Sequence, residues 1–368
     1  MGRMLTLVAA GVLLAGCGRV TPPPPAAISP PPVVASPASP SASTNGLLPV
    51  PTSLPVPSAM PTPSPVPAGP FPGGLLIADR GNGRLIVVDN AGRIVWQFPV
   101  TGSLPAGQAF SADDAFVSPD GLTITANEEN LELVVRIDIA TRRVIWEYGH
   151  SGLAGSAPGY LNAPDDAYPL ANGDVLVADI RNCRVIEIAP DKHITRQWGQ
   201  TGVCVDNPPA TYAESNGGTP LPDGGILITE IRGPRVVRLD AAGNVVFSIH
   251  VPAAYPSDAQ LDPQGDVVVS DYGNPGAVIA LDPTGRVLWR YGPISGPGRL
   301  DHPSLAVPRA DGSVVLNDDF RDRVLLLDPR SGRVLWQYGV TDQPGSGLGH
   351  LFIPDGLDQL APGVILGT

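Results

Sequence analysis

A segment of about fifty residues recurs six times in this chain, and no other feature limits the possible folds so strongly. Each copy opens with a short apolar run that ends in Asp, Asn or Glu: 75–79, 123–127, 175–179, 226–230, 267–271 and 314–318. A second apolar run follows, and then a third that carries an aromatic residue: Trp96, Trp146, Trp198, Phe247, Trp289 and Trp336. A fixed period of this size, with several strands per unit, is typical of a propeller or a solenoid.

Turn residues separate these runs and indicate β-hairpins. Asn90-Ala91-Gly92 and Pro283-Thr284-Gly285 are examples in which glycine supplies the positive φ of a tight turn. The 44 prolines and 43 glycines of the chain also interrupt any long helical periodicity. The sequence therefore predicts an all-β protein.

A fourth run precedes each unit, seven residues before a turn, at 113–116, 165–168, 216–219, 257–260, 304–307 and 355–358. The chain then contains three strands, five full units of four strands, and one last strand. We expect the last strand to complete the first blade, because closure of the ring removes an exposed sheet edge. This predicts a six-bladed β-propeller. Residues 363–367 form one more apolar run, which is an extra strand, a frayed tail or the start of a seventh blade; six blades are favoured because no third or fourth strand follows.

The first residues have the features of an export signal. Arg3 precedes an apolar run at 5–14 that is too short for a permanent membrane helix. Leu14-Ala15-Gly16-Cys17 resembles a bacterial lipobox, in which the cysteine is lipidated and becomes the mature N-terminus. We expect residues 1–16 to be a lipoprotein signal peptide and Cys17 to anchor the protein to the extracytoplasmic face of the cell membrane. An ordinary secretory signal with a chance cysteine is the alternative.

Composition divides the rest of the chain in two. Residues 17–70 are rich in Pro, Ser and Ala and nearly uncharged, which predicts a disordered tether between the anchor and the folded part, or a spacer with no length requirement. Residues 71–368 then form the propeller. The net charge of −12, without any basic run, excludes nucleic acid as a partner. The expected partners are the membrane, through the lipid, and an unidentified protein or small molecule.

The repeats resemble those of known propeller families. LANGDVLVADIRNCRVIEIAP and GGLLIADRGNGRLIVVDNAGR are similar to NHL repeats. DPTGRVLWRYG and DPRSGRVLWQYG resemble the repeats of PQQ-type and arylsulfotransferase-type propellers. The resemblance implies the propeller fold, but these families include enzymes, quinone-cofactor dehydrogenases and assembly scaffolds, so it implies no single activity.

The resemblance does not extend to the catalytic residues of those families. The position of the arylsulfotransferase histidine is occupied by Asp113, Asp165, Asn216, Ser257, Ser304 and Asp355. His302 lies two residues before that position in its repeat. The adjacent cysteines typical of PQQ sites are absent, since Cys183 and Cys204 are far apart. No catalytic residue is predicted.

Acidic and amide residues stand where the inner strands begin: Asp113, Asp114, Asp165, Asp166, Asn216, Asp258 and Asp355. All inner strands of a propeller begin at the same face, so these side chains should converge on the mouth of the central channel. Hard cations prefer such oxygen ligands, which makes calcium a candidate cofactor, as in lactonase-like propellers. The alternative is that these residues cap the strand starts and bind neighbouring amides.

A second set of residues is expected on the same face. Arg80, Arg181, Arg232 and Arg321 each follow a second strand closely, and His302 precedes an inner strand. They either form internal ion pairs or read an anionic or peptide ligand. The acidic residue that ends each second strand is expected to accept amides of the next loop. The outer-strand tryptophans should pack between blades.

The two remaining cysteines predict a disulfide. Cys183 and Cys204 lie in loops that leave the same blade on one face, and an exported compartment permits the bond. Two free thiols are the alternative. The predicted function is a surface-anchored binding or scaffolding module; the alternatives are a calcium-dependent, lactonase-like hydrolase and an arylsulfotransferase-like enzyme. The absence of Gly-x-Ser-x-Gly, His-Glu-x-x-His and Cys-x-x-Cys motifs favours the non-enzymatic function.

Overall fold

A computed structural model describes residues 70–364. The predicted signal peptide, Cys17 and all but the last residue of the predicted tether lie outside the described residues. Among the described residues, no helix is long and apolar enough to cross a membrane.

The described residues form six antiparallel sheets of four strands each. The first blade contains β1 (Leu75–Asp79), β2 (Arg84–Val88), β3 (Ile94–Phe98) and the C-terminal β24 (Pro354–Gln359). The second and third blades contain β4 (Ala115–Val117), β5 (Thr123–Glu128), β6 (Leu133–Asp138), β7 (Arg143–Gly149), and β8 (Pro164–Pro169), β9 (Val175–Asp179), β10 (Arg184–Ile188), β11 (Ile194–Trp198).

The remaining three blades follow in the same order. They contain β12 (Ser215–Pro220), β13 (Ile226–Glu230), β14 (Arg235–Leu239), β15 (Val245–His250); β16 (Pro256–Leu261), β17 (Val267–Asp271), β18 (Ala277–Leu281), β19 (Val287–Tyr291); and β20 (Ala306–Pro308), β21 (Val314–Asp318), β22 (Arg323–Asp328), β23 (Arg333–Tyr338). Short 3-10 turns lie between the second and third strands of four blades: Arg80–Asn82, Glu129–Leu131, Ile180–Asn182 and Asp319–Arg321. The predicted six-bladed, all-β fold is confirmed.

The ring closes through the last strand, as the sequence predicted. β24 pairs antiparallel with β1, with Leu76 opposite Asp358 and Ile77 opposite Leu357. The first blade therefore takes its inner strand from the far end of the chain. Residues 363 and 364 form a turn after this strand rather than a further blade, and residues 365–367 lie outside the described part.

Apolar clusters between neighbouring blades hold the ring together. One of them joins Leu76 and Phe98 of the first blade to Ile124 and Ile137 of the second. The outer-strand tryptophans take part, as expected: the Nε1–H of Trp146, for example, donates to the carbonyl of Pro190 in the next blade at 2.9 Å. Each blade thus stabilises its neighbours, and loss of one interface opens the ring.

The acidic residue at the end of the second strand binds the loop that was expected, and a second loop as well. The side-chain amides of Asn82 and Asn182, in the turns that follow β1 and β9, donate to Asp79 and Asp179 at 2.8 Å. Asp79, Asp179 and Asp318 also accept the backbone N–H of Phe352, Asn162 and Asp301 at 2.7–2.8 Å. These backbone amides belong to the loop that enters the inner strand of the same blade, a contact that was not predicted. The carboxylate therefore ties both loops to its own sheet.

The predicted disulfide is present between Cys183 and Cys204, with 5.2 Å between the two α-carbons. Cys183 closes the turn after Ile180–Asn182 with a φ of 54°. Gly83 takes the same conformation in the first blade, with a φ of 61°. The disulfide therefore connects the turn after β9 to the loop after β11, on the face where the inner strands begin.

Ring closure generates the first prediction. Leu357 is buried on β24 against the apolar cluster that includes Leu75 and Val324. Leu357→Ala should cost about 2–5 kcal/mol and lower the Tm of the whole domain by roughly 5 °C or more. Gln359→Ala, a partly exposed position on the same strand, is the matched control and should melt near the wild type. Deletion of residues 351–368 should abolish cooperative unfolding; a truncated chain that melts like the full one would contradict closure by β24.

Candidate functional site

In four of the six blades, two successive residues at or just before the start of the inner strand line the central channel: 113/114, 165/166, 257/258 and 304/305. In β8 the pairing with β9 shifts register between Asp165 and Ala167, and similar irregularities occur at the starts of β12, β16 and β24. A β-bulge places two consecutive residues on one side of a strand. Asp165 and Asp166 therefore both face the channel, where a regular strand would turn one of them away.

These paired residues line a cavity of about 70 Å³ at the channel mouth, room for a few water molecules. The structure brings all seven predicted residues together there: Asp113, Asp114, Asp165, Asp166, Asn216, Asp258 and Asp355. The other lining residues are Arg80, Glu129, Tyr255, Ser257, Tyr272, Ser304 and Leu305. The lining thus carries seven carboxyl groups and one guanidinium group.

Arg80 neutralises one part of this ring. Its guanidinium nitrogens lie 2.6 Å from the Asp113 carboxylate, 2.5 Å from that of Asp355 and 3.5 Å from that of Glu129. Burial by itself lowers the pKa of Arg80, but the carboxylates of Asp355 and Asp113 outweigh burial and raise the pKa above its usual range, so the residue stays charged. One positive charge serves three carboxyl groups, and Asp114, Asp165, Asp166 and Asp258 have no basic partner at all among the described residues.

Neutral groups orient most of the other carboxyls. Asn216 donates its amide N–H to Asp165 at 2.5 Å, and the backbone N–H of Gly218 donates to Asp166 at 3.0 Å. Asp258 accepts from the side chains of Thr219 and Gln260 at 3.2 and 2.8 Å. These bonds fix the direction of each carboxyl group without cancelling its charge.

Burial and mutual repulsion both disfavour the charged forms. Burial raises the pKa of Asp113, Asp114, Asp165 and Asp166 well above the ordinary range for aspartate, and neighbouring carboxylates raise it further. For Asp114 those neighbours are Asp166 and Asp355 in particular. Both effects favour the protonated forms of these carboxyls, and a bound cation would favour the charged forms instead.

Some site residues were not predicted from the sequence. Glu129, Tyr255 and Tyr272 line the cavity, and Asp319 lies beside it with its carboxyl against that of Asp355. Arg80, Glu129, Tyr272 and Asp319 all occupy the first position after the acidic end of a second strand. The repeats differ in charge at this position while the neighbouring positions stay alike. That difference is the sequence signal that would have found Glu129, Tyr272 and Asp319; Tyr255 lies before β16 and does not share it.

The predicted ligand-face residues are paired, and only one of them reaches the cavity. Arg181 and Arg232 both contact Glu214, at 2.8 and 2.9 Å, and their side chains are 56% and 70% exposed. Arg321 pairs with Asp342 at 2.8 Å, away from the cavity lining. The internal ion pairs expected as one alternative are thus present, and Arg80 is the arginine that belongs to the mouth.

His302 lies at the rim rather than in the cavity. Its Nδ1 is 2.6 Å from the Asp301 carboxylate, and its ring packs against Tyr272 and Phe320 with centroids 4.7 Å apart in both cases. The histidine is therefore held by its neighbours, one layer outside the residues that line the mouth.

Comparison with known proteins supports the fold at two levels. The family described as "Outer membrane protein assembly factor BamB" matches residues 191–353, from the third blade to the loop before β24. The PQQ-like character of the repeats within residues 191–353 is confirmed. The described residues form a six-bladed β-propeller. Curated protein sequences gave no match.

Solved structures show the fold and nothing finer. A protein of unknown function from Bacteroides caccae superposes with a TM-score of 0.56 at 16% identity, over 78% of this chain and 98% of that one. A streptogramin B lyase gives a TM-score of 0.45 at 15% identity, over 62% of this chain and 68% of its own. An inactive virginiamycin B lyase from Staphylococcus aureus with quinupristin gives 0.45 at 16%, over 64% and 75%. At these identities no activity is transferred to this propeller.

The buried carboxyls predict an unusual dependence of stability on pH. Burial raises the pKa of Glu128 to about 7 and that of Asp358 to about 6, above their unfolded values near 4.5 and 3.8. The folded state therefore holds protons that the unfolded state has lost, so this stabilisation is complete below about pH 4 and disappears as pH rises through 6 to 7. In chelator, the Tm should fall between pH 5 and pH 8.

The control for this prediction is Glu128→Gln, which keeps an oxygen to accept the Ser111 N–H but cannot titrate. Its Tm should fall less over the same range of pH. A wild-type Tm that stays constant or increases from pH 5 to pH 8 would contradict the raised pKa values.

Proposed function

We propose that this protein is an extracytoplasmic binding module, held at the membrane by a lipid on Cys17, and that its channel mouth receives a positively charged ligand. The observation that carries the proposal is the charge of the cavity lining, seven carboxyl groups against one guanidinium. Burying several carboxylates side by side is costly unless a positive charge joins them. A cation gains most from this site, and an anion is repelled.

The N-terminal features support the location. Leu14-Ala15-Gly16-Cys17 fits a lipobox, and the Pro-rich residues 17–70 fit a spacer between the lipid and the propeller. In an extended conformation such a spacer spans roughly 150 Å. The partners are then the membrane, through the lipid, and a ligand that meets the propeller outside the cytoplasm. The net charge of −12 does not suit nucleic acid.

Anchoring is tested by fractionation of cells that express the full chain. The wild-type protein should sediment with membranes and enter the detergent phase. Cys17→Ser removes the thioether sulfur that carries the lipid and should move the protein out of the detergent phase. Cys183→Ser/Cys204→Ser is the matched control, because it removes cysteines but keeps Cys17, and it should still sediment. A Cys17→Ser protein that partitions like the wild type would contradict the lipid anchor.

The charge of the ligand is tested by thermal shift at constant ionic strength. Calcium chloride and spermine are the two cationic probes, and sodium sulfate is the anionic one. Binding to the folded state alone raises Tm by mass action. At least one cationic probe should raise the Tm of the wild type, and Asp165→Asn/Asp258→Asn should reduce that shift by half or more. Glu147→Gln, which removes one exposed charge on β7, should leave the shift unchanged.

The outcome that contradicts the proposal is equally direct. If neither calcium nor spermine at millimolar concentration changes the Tm beyond the effect of matched sodium chloride, the mouth does not bind cations. A shift of equal size in the double variant would place the binding elsewhere on the acidic surface.

Binding is favoured over catalysis by the placement of the histidines. None of the five histidines, all of which lie within the described residues, is part of the cavity lining. The sulfotransferase alternative would need a histidine at the mouth, as in the family that the repeats resemble, and the ionisable groups there are carboxyls, one guanidinium and two phenols.

The family match favours one second candidate, a scaffolding role in assembly at the cell envelope. In that case the outer surface of the blades, and not the channel mouth, would contact the partner. The mouth variant Asp165→Asn/Asp258→Asn separates the two functions: a scaffold keeps its partner in a detergent-solubilised pull-down with this variant, and a mouth-binding module loses its ligand.

A further inference from the structure

Three carboxyl groups of the mouth lie close enough to share one ion. Asp114, Asp165 and Asp166 each offer an oxygen within 4.8 Å of the other two. Calcium binds oxygen at about 2.4 Å, so two ligands on opposite sides of the ion are about 4.8 Å apart. The spacing of the three oxygens is therefore that of a single coordination sphere.

Asp114 has no other role that accounts for its charge. It is 6% exposed, its carboxyl borders the cavity, and the one side chain that forms a hydrogen bond with it is the neighbouring carboxyl of Asp165. Its backbone N–H donates to the side-chain oxygen of Asn127. Within residues 70–364 no basic or amide group contacts this buried carboxyl, so its position in the ring suits a cation that the protein itself does not provide.

The backbone around these carboxyls is shaped to admit them. A β-carbon on Gly356 would lie 2.5 Å from the Asp114 carboxylate, and one on Gly217 would lie 3.3 Å from the Asp166 carboxylate. Asp166 itself takes a φ of 39°, which a non-glycine residue adopts only under strain. Glycines at neighbouring positions and a strained aspartate together bring the oxygens to one point.

Outer contacts hold the ligands in place. Asn216 and Asn127 donate to the two oxygens of Asp165, and the Gly218 backbone N–H donates to one oxygen of Asp166, so these carboxyls are held with their edges toward the cavity. Arg80 is engaged one layer away by Asp113 and Asp355 and does not reach the three carboxyls. Second-shell bonds of this kind orient the ligands of a metal ion.

From this geometry we infer that Asp114, Asp165 and Asp166 coordinate one hard divalent cation, with calcium as the ion that fits best. The inference rests on the proposed cation-binding function and names the ligand class. All three ligands are oxygens, with no histidine or cysteine in the lining, which suits calcium rather than zinc. The cavity of about 70 Å³ holds the waters that complete a shell of six to eight oxygens.

Terbium luminescence on the propeller is the direct test. Tb³⁺ is a hard ion that replaces calcium at oxygen sites, and Tyr255 and Tyr272 line the same cavity and can sensitise its emission on ultraviolet excitation. Tb³⁺ should give saturable, tyrosine-sensitised emission with one ion per chain, and calcium should displace it. Calorimetry with calcium chloride should report the same single site.

The variants are Asp114→Asn and Asp166→Asn, with Glu147→Gln as the matched control. Asp114→Asn should raise the Kd for calcium at least tenfold, and Asp166→Asn should do the same. Glu147→Gln should bind as the wild type does. In chelator Asp114→Asn should melt at or above the wild-type Tm, since it removes repulsion, so weaker binding cannot be attributed to misfolding.

The outcomes separate this inference from the proposed function. The metal site is ruled out if Tb³⁺ gives no saturable emission and calorimetry detects no heat of calcium binding. It is also ruled out if Asp114→Asn binds calcium with the affinity of the wild type. If spermine nevertheless raises the wild-type Tm and not that of Asp165→Asn/Asp258→Asn, the mouth binds an organic cation and only the inference fails. If neither calcium nor spermine has an effect on the wild type, both the inference and the proposed function fail.

Discussion

The pairing of β24 with β1 is the constraint on which the remaining structure depends. It closes a ring of six sheets, so that all six inner strands surround one channel and begin at the same face. The residues at the start of those strands therefore lie close together around the channel mouth. Asp113, Asp165 and Asp355 are far apart in sequence, and the closed ring alone makes them neighbours. Acidic residues that recur at the same position of several repeats are thereby brought together as a cluster of negative charge at the channel mouth.

That concentrated charge opposes the stability of the fold around it. Apolar clusters between the blades and carboxylates at the strand ends stabilise the ring, and both are found where the repeat places apolar and acidic residues. The mouth residues are less favourably placed. Arg80 offsets only part of the charge, Asp166 is strained, and Asp114 is buried without a basic partner. Local conflicts of this kind are expected where a protein binds something, and a cation resolves this one.

The features that depend on position within the repeat could be predicted from the sequence. Strand order, closure by the last strand, the Cys183–Cys204 bond and the convergence of seven mouth residues all follow from position within a unit. What the repeat does not encode was not predicted. The bulges that turn Asp166 into the channel depend on register, and the link between Arg80 and Asp355 depends on side-chain direction across 275 positions of chain. The bond from the Phe352 backbone N–H to Asp79 was not predicted for the same reason.

The mouth carboxyls outnumber the one guanidinium beside them, and their raised pKa values favour the protonated form until a cation binds. Infrared difference spectroscopy measures this directly, because a protonated carboxyl has a carbonyl stretch distinct from that of a carboxylate. In chelator at neutral pH the wild-type protein should show the protonated band, and calcium should convert it to carboxylate; in Asp114→Asn that conversion should be much smaller. A chelated protein with no protonated carboxyl band at neutral pH would contradict the account.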